Sequence, residues 1–329
     1  MGRSEHFLVT GALGCLGSWV VKRLVDDAIG VSTLDLSPSD HRLRLTCDAV
    51  DLDEIDRREG DVADIDGLLE LVDDIGITHI VHLAGLQVPF VRADPVAGAH
   101  VNVVGTAAVL DVARRRPDQI QGLVFASSGG VFGRADQYPQ EILGDDAPHY
   151  PPTIYGVYKH ANEQMAGLYW SEYQVPSIGL RPFIVYGPGR DQGMTSAPTK
   201  AMLAAAAGRP FHVAFSGRFT YQHADDAAAA FIAAARAPGD GGRTYNLGGT
   251  TADMSEVVSA IESAVPAAAG TITVADEALS GPHEVDGSGF EKVVGPLVWR
   301  PLADGVEQTI EHYQAAIDAG LVDVDRILA

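Results

Sequence analysis

The sequence predicts an α/β fold, a doubly wound parallel sheet with a smaller C-terminal lobe. Two observations carry this. Short β-branched apolar runs alternate with helical patterns through the first half of the chain, and the run at 8–21, "LVTGALGCLGSWVV", passes from strand to helix through glycines spaced three apart. A third, the irregular Pro- and Gly-containing second half, adds the lobe.

Strands are expected near 6–10, 31–35, 78–83, 120–126 and 176–181, and helices near 15–28, 64–74, 95–115 and 155–173. Strict alternation of this kind makes the strands parallel and places helices on both faces. Arg114, Arg115 and Arg116 precede Pro117. These cations oppose the negative end of a helix dipole and the proline stops the helix, so they do not form a basic binding patch. Beyond the prolines at 148, 151 and 152, "YGPGRDQG" at 186–193 reads as a long turn-rich loop. "YNLGG" at 245–249 reads as a strand ending at glycine, and 253–265 and 303–319 read as helices. The later segments are therefore expected to interleave with the sheet.

Composition narrows the function classes. A formal net charge of -21 argues against nucleic acid or an anionic membrane as partner. Two cysteines, Cys15 and Cys47, suit a reducing compartment better than a disulfide scaffold. The first apolar run is broken by glycines rather than leading to a cleavage site, and Ala227–Ala235 is too short to cross a bilayer. A cytoplasmic protein with no membrane partner is expected.

Gly11, Gly14 and Gly17 carry the first chemical signal. The first permits a tight turn, the second lets backbone approach a pyrophosphate, and the third lets helix pack on strand. The helix that follows offers free N–H groups and a positive dipole end to the phosphate. An acid ending the next strand completes such a site by binding the adenosine ribose. Asp35 stands 18 residues after Gly17, and no arginine follows it directly, which favours NAD over NADP. Cys15 and Leu16 contribute backbone at the same turn, with the Cys15 thiol expected to be packing rather than a reactive thiolate.

The second signal lies in "PPTIYGVYKHANE" at 151–163, where Tyr155 and Lys159 are four apart and share one helix face. An ammonium beside a phenol favours the phenolate, the form that can accept a proton from an alcohol. "LVFASSGGVFG" at 123–133 is an apolar strand ending in Ser127 and Ser128, and strand C-terminal ends are where open α/β sheets bind ligands. No metal constellation is read: His79 and His82 share one apolar strand, where core or cofactor-flanking roles are expected.

Taken in order, these residues resemble the extended short-chain dehydrogenase/reductase superfamily, the NAD-dependent epimerase/dehydratase family, with its Rossmann-type sheet. "TGALGCLG" looks like that family's glycine turn, "GDVAD" at 60–64 like its adenine-contacting motif, "HLAG" at 82–85 like the strand end under the cofactor, and "NVVGT" at 102–106 like its Asn-containing helix. "SSGGVFG" and "YGVYKHANE" resemble its catalytic segments, and "LRPFIVYGPG" resembles the strand and loop that follow. The resemblance implies an NAD-binding domain at 1–180 with returning segments near 215–250, and a substrate-binding lobe from 181–214 and 251–329. It implies NAD contacts from Gly11, Gly14, Cys15, Leu16, Gly17, Asp35, Asp61, Val62, Leu83, Ala84, Gly85, Asn102, Tyr155 and Lys159. Ser128, Tyr155 and Lys159 are implied as catalytic, and Gln87, Ser128, Gly129 and Arg218 as substrate-binding. A homodimer and a small-molecule substrate, a sugar or nucleotide sugar, also follow from it.

Departures shape the expected activity. Gly129 and Gly130 stand where family dehydratases carry Asp-Glu, which disfavours water elimination. Ile184 stands where nucleotide-sugar epimerases place an asparagine, and Phe219 replaces the acid beside Arg218. The leading expectation is an NAD-dependent oxidoreductase acting on a secondary hydroxyl of a sugar-like molecule. A nucleotide-sugar (UDP-sugar 4-) epimerase with tightly held NAD is the alternative, and a non-catalytic NAD-sensing protein of the same fold the third.

Overall fold

Strand β1 (His6–Thr10) passes at Gly11–Gly14 into helix α1 (Cys15–Asp26), followed by β2 (Gly30–Asp35), α2 (His41–Thr46), β3 (Asp56–Glu59), α3 (Ile65–Ile75) and β4 (His79–His82). These elements come from a computed structural model that describes residues 4–48, 51–53, 55–237 and 239–329. Helices α4 (Val88–Ala93) and α5 (Pro95–Ala99) lead through a π-helical turn at His100–Val104 into α6 (Gly105–Arg115). Next come β5 (Gly122–Ala126), β6 (Ile142–Leu143), α7 (Ile154–Tyr173), β7 (Ser177–Arg181) and β8 (Ile184–Tyr186). The chain continues through α8 (Ala197–Ala206), β9 (Phe211–Val213), β10 (Arg218–His223), α9 (Ala224–Arg236), β11 (Gly242–Asn246) and β12 (Thr250–Asp253). It ends in α10 (Met254–Ala264), β13 (Ile272–Val274), β14 (Glu284–Val285), α11 (Ser288–Val294), α12 (Leu302–Asp318) and α13 (Val324–Leu328).

Seven strands form one parallel sheet in the order β11-β7-β5-β4-β1-β2-β3. Side-chain alternation explains the layers. Phe7 and Val9 of β1 pack with α1 and α9, whereas Leu8 between them packs with α3 and α6 on the opposite face. Chain order reverses between β1 and β4, so their C-terminal ends open a crevice flanked by Gly11–Gly14 and by the loop after His82. The smaller sheet, β12-β10-β8, starts three residues beyond the end of β7 and is covered by α8, α10 and α12.

Several details differ from the sequence expectation. Strand β3 is the polar edge segment Asp-Arg-Arg-Glu, which pairs with β2 through its backbone and a Ser32–Asp56 side-chain bond and offers no apolar face. Of the segment near 215–250, only β11 joins the large sheet and α9 covers it, while β10 belongs to the small sheet. The run Pro95–Arg115 is the one helical run, among the described residues, long and apolar enough to cross a membrane, and just over half of it is buried inside the protein. Arg114 and Arg115 bind Asp111, and Arg116 binds Asp73, in exposed pairs of small energetic worth.

Three histidines, His82 and His223 buried and His149 half-buried, give the fold a pH dependence. His82 lies between the hydroxyls of Thr10 and Thr106, at 2.7 and 3.0 Å. Burial pushes His82 and His223 down to about 3, and His149 to about 4. Each stays neutral in the folded state while an unfolded imidazole protonates near its ordinary value. The unfolded chain therefore binds more protons below pH ~6.5, and stability falls as pH drops from there toward 4. Melting temperatures taken from pH 7 to 4.5 are expected to decline through that window; a flat profile would contradict this reading.

Candidate active site

The glycine turn is built by exclusion of side chains. Gly11 has φ +68°, and a Cβ there would sit 2.6 Å from the Ala84 nitrogen, so only glycine lets the turn pass beneath the Leu83–Gly85 loop. A Cβ on Gly17 would sit 2.3 Å from the Gly11 carbonyl oxygen. Helix α1 begins after Gly14 with no side-chain cap and no acidic residue in its first turn, leaving N–H groups and the positive dipole end toward the cavity. Asp35 closes β2, and its Oδ2 accepts the Leu13 N–H at 3.0 Å. Burial raises its carboxyl, and the backbone N–H groups of Leu13, Ser37 and Leu36 oppose the rise.

A cavity of about 800 Å³ runs from this corner across the strand ends. Asp35, Leu36 and Ser37 line it, as do Phe183, Thr195 and Ser280. Gly11, Gly14, Cys15, Leu16, Gly17, Val62, Leu83, Ala84, Gly85, Gln87 and Gly129 all line it. The Cys15 sulfur lies 3.9 Å from the Pro188 carbonyl and burial pushes the thiol up to about 11, consistent with packing.

Helix α7 brings the Tyr/Lys pair to the cavity. Thr153 caps it, accepting the Gly156 N–H at 3.0 Å, so Tyr155 falls in the first turn and Lys159 one turn later. Lys159 is buried, donates to the Ala126 carbonyl at 2.7 Å, and lies 5.7 Å from the centre of the Tyr155 ring. Burial pushes the ammonium down to about 8, with Glu163 opposing. Ser128, just beyond β5, is the hydrogen-bond partner of the Tyr155 phenol, and its Oγ also accepts the Gly130 N–H at 3.0 Å.

The structure corrects four expectations. Burial raises the Tyr155 phenol, opposed by Ser128 and the Arg190 guanidinium; the Lys159 charge, turned to Ala126, is not what lowers it. Asn102 does not face the cavity. From the π-helical turn, its Oδ1 accepts the Leu86 N–H at 2.7 Å and its Nδ2 donates to the Leu86 carbonyl at 2.9 Å, so it pins the loop instead. Asp61 is likewise absent from the lining: it accepts from Ala63 N and meets His100 Nε2, both at 2.9 Å. Arg218 starts β10 on the outside, with Phe219 buried next to it, and pairs with Asp253 and Glu256 at 3.5 and 3.8 Å on the surface.

Other residues were not legible. The loop Gly187–Thr195 lies across the site, tied to α1 by Trp19 Nε1 donating to the Pro188 carbonyl at 2.9 Å, and to α2 by Arg42 donating to Asp191 at 2.7 Å. It delivers Arg190, Gln192 and Thr195 to the lining, and Leu279–Gly281 arrives from the C-terminal lobe. "GRDQG" was the only signal for the first group; the second had none. Among the described residues the fold also assembles two His/acid clusters that sequence spacing hid, His149/His160/Glu163 and His223/Asp225/Asp226. Each has an arginine bonded to its carboxylates, Arg181 in the first and Arg300 in the second.

A doubly wound parallel sheet with a phosphate-cradling turn and a Ser/Tyr/Lys set over its crevice defines a class. The chain belongs to the NAD-dependent epimerase/dehydratase family, whose model matches residues 7–248, and it is an NAD-dependent enzyme of the extended short-chain dehydrogenase type. Among particular proteins, it is 32% identical to UDP-glucose 4-epimerase of Mycolicibacterium smegmatis over 93% of this chain and 98% of that one. It is 31% identical to UDP-glucuronate 4-epimerase 4 of Arabidopsis thaliana, over 78% of this chain and 62% of that one. The same fold occurs in L-threonine dehydrogenase of Clostridium difficile (TM-score 0.82, 20% identity, 98% of this chain and all of that one). It occurs also in UDP-glucose 4-epimerase of Thermus thermophilus, solved with NAD (TM-score 0.76, 23% identity, 94% and 99%). The residues present fit NAD: the side-chain-free cradle at Gly11 and Gly17, the uncapped start of α1, and Asp35 at the end of β2.

Proposed function

We propose that the protein is a nucleotide-sugar 4-epimerase that moves hydride off and back onto one secondary carbinol carbon, with Tyr155 as the general base. The convergence of Ser128, Tyr155 and Lys159 at one cavity wall carries this reading. The nucleotide-sugar class is supported by likeness to a UDP-glucose 4-epimerase along nearly the whole chain.

Bound NAD supplies the hydride acceptor and donor. The chain's own part is proton handling and positioning. Tyr155 takes the hydroxyl proton as the carbinol is oxidised and returns it when the ketone is reduced from its other face. Ser128 hydrogen-bonds the reacting oxygen. Lys159, held at the end of β5 by the Ala126 carbonyl, supports the coenzyme's ribose. Gly11, Gly14, Gly17 and Asp35 hold the coenzyme, and Gln87 and Gly129 face the substrate. A carbinol carbon must present both faces in turn, and the cavity extends past Tyr155 to Phe183 and Thr195.

Asp35 sets coenzyme choice. A 2′-phosphate would meet its carboxylate, and Arg42, the nearby cation, is committed to Asp191. NADP is expected to bind about tenfold more weakly than NAD or worse, and Asp35→Asn is expected to narrow the gap. Tighter binding of NADP in a titration of the parent protein would contradict this role.

A second reading, a dehydrogenase that releases NADH, is favoured by Ile184 in place of an asparagine and by Arg218 on the surface, which remove two grips on a diphosphate. Assay of UDP-glucose and free sugars with added NAD separates them: steady NADH formation supports the dehydrogenase, isomerisation without NADH the epimerase. The exposed apolar side chains Val96, Val104, Val157 and Leu168 on α5, the π-helical turn and α7 support a homodimer through these helices. Light scattering after size exclusion is expected to give twice the chain mass; a monomer mass would sink that assignment.

A further inference from the structure

Helix α13 reaches the coenzyme cavity. Its Val324, Ile327 and Leu328 pack in one apolar cluster with Leu45 of α2, Leu203 of α8 and Tyr313 of α12. Asp323 caps it by accepting the Arg326 N–H at 3.0 Å, and Asp325 pairs with Arg209 at 3.0 Å. A helix of 5 residues has little stability of its own, so these contacts hold it in place. Docked there, it brings Arg326 into the lining of the same cavity as Gly11 and Asp35.

Arg326 stands beside the segment that follows β2. Burial holds the His41 imidazole below its ordinary value, and the charges of Arg42 and Arg326 push it the same way. The other cations of the lining are engaged: Arg42 with Asp191, Lys159 with the Ala126 carbonyl, and Arg190 with Thr195. The Arg326 guanidinium has no carboxylate partner among the described residues, in a chain with 44 acidic residues against 23 Lys and Arg. Leu36, next to Asp35, lines the cavity too and is 54% exposed, a bare alkyl surface beside the carboxylate that fits the adenosine ribose. A purine has two broad faces: a branched alkyl side chain covers one, and a planar guanidinium stacks on the other.

We propose that Arg326 is a coenzyme contact supplied by the C-terminal lobe, its guanidinium stacked on the adenine of bound NAD, with Leu36 as the apolar surface for the same base. Bound coenzyme thereby fastens α13 to the β2–α2 segment. Stacking engages the face of the guanidinium and leaves the choice between NAD and NADP to Asp35. The contact rests on coenzyme binding alone and stands whether the carbinol is epimerised or oxidised outright.

Calorimetric titration tests it without turnover. NAD, NADP, AMP and nicotinamide mononucleotide are titrated into the parent, Arg326→Ala and Arg134→Ala; the last removes an exposed cation outside this cavity and controls for net charge. Arg326 is exposed, so its truncation spares the core, and melting curves establish folding. Arg326→Ala is expected to weaken NAD, NADP and AMP alike, by about threefold to tenfold, and to leave nicotinamide mononucleotide within about twofold. A loss for NAD below about threefold, or one that AMP does not share, would overturn the proposal. So would an equal loss for nicotinamide mononucleotide or in Arg134→Ala. A loss at least about threefold greater for NADP than for NAD would make Arg326 a phosphate ligand and overturn the stacking contact.

Discussion

Replacing Tyr155 by phenylalanine is expected to reduce turnover by about 10²–10⁴-fold, the range that a general acid–base contributes, while leaving NAD affinity near that of the parent. The change removes one hydroxyl and keeps the ring, so the packing of α7 against the 128–130 turn survives. What is lost is the atom that accepts the alcohol proton and the partner of the Ser128 hydroxyl. Lys159 cannot substitute, because its ammonium is committed to the Ala126 carbonyl. Burial already raises the Tyr155 phenol, so the protein relies on Ser128 and neighbouring positive charge to make phenolate accessible. Tyr155→Phe with turnover intact would remove the proposed mechanism, whatever the substrate.

The largest effect on stability is expected at Glu163. Its Oε1 accepts from the Ser127 hydroxyl and from Arg181 Nε at 2.8 Å, and its Oε2 accepts from Arg181 Nη2 at 2.7 Å. Both side chains are nearly inaccessible, at 5% for Glu163 and 4% for Arg181. Arg181 Nη1 goes on to the Asp145 carbonyl and to Asn246, so the pair ties α7 to β7, β11 and the 144–149 segment. Breaking such a pair from one side leaves a buried charge uncompensated, at a cost of about 3–5 kcal/mol. Glu163→Ala should lose stability on that scale by denaturant titration, and Glu163→Gln, which retains the shape and one acceptor, should lose less. Replacing both partners by apolar residues of similar volume should recover much of the loss. A Glu163→Ala stability within about 1 kcal/mol of the parent would show that solvent reaches the pair. Glu163 also holds up the Lys159 pKa from one turn away, so its loss pushes that ammonium further down and links core stability to the site.

What could be read from the chain was what is locally encoded. β1, β2, β4, β5 and β7 are short apolar runs flanked by turns, and burial on both faces of a parallel sheet leaves that imprint on sequence. β3 left none, because an edge strand needs only its backbone to pair. Gly11, Gly17, Asp35, Ser128, Tyr155 and Lys159 are legible as candidates because a turn, a strand end or one helical turn places each of them. Arg218 and Asn102 failed for a different reason: each facing direction depends on a distant contact, the buried Phe219 in the small sheet for one and the Leu86 loop for the other. Arg190 was invisible because its place depends on a loop held over the site by Trp19 and Arg42, residues 171 and 148 positions away.

The proposed epimerase oxidises and reduces one carbon without release of reducing equivalents. Purified protein incubated with UDP-glucose and no added NAD, followed by proton NMR of the sugar anomeric region, tests this most directly. The expected result is conversion of UDP-glucose to an equilibrium mixture with its 4-epimer, UDP-galactose, and no net NADH absorbance. UDP-glucose unchanged at enzyme concentrations matching the substrate, or NADH accumulating as the sugar is consumed, would contradict the account.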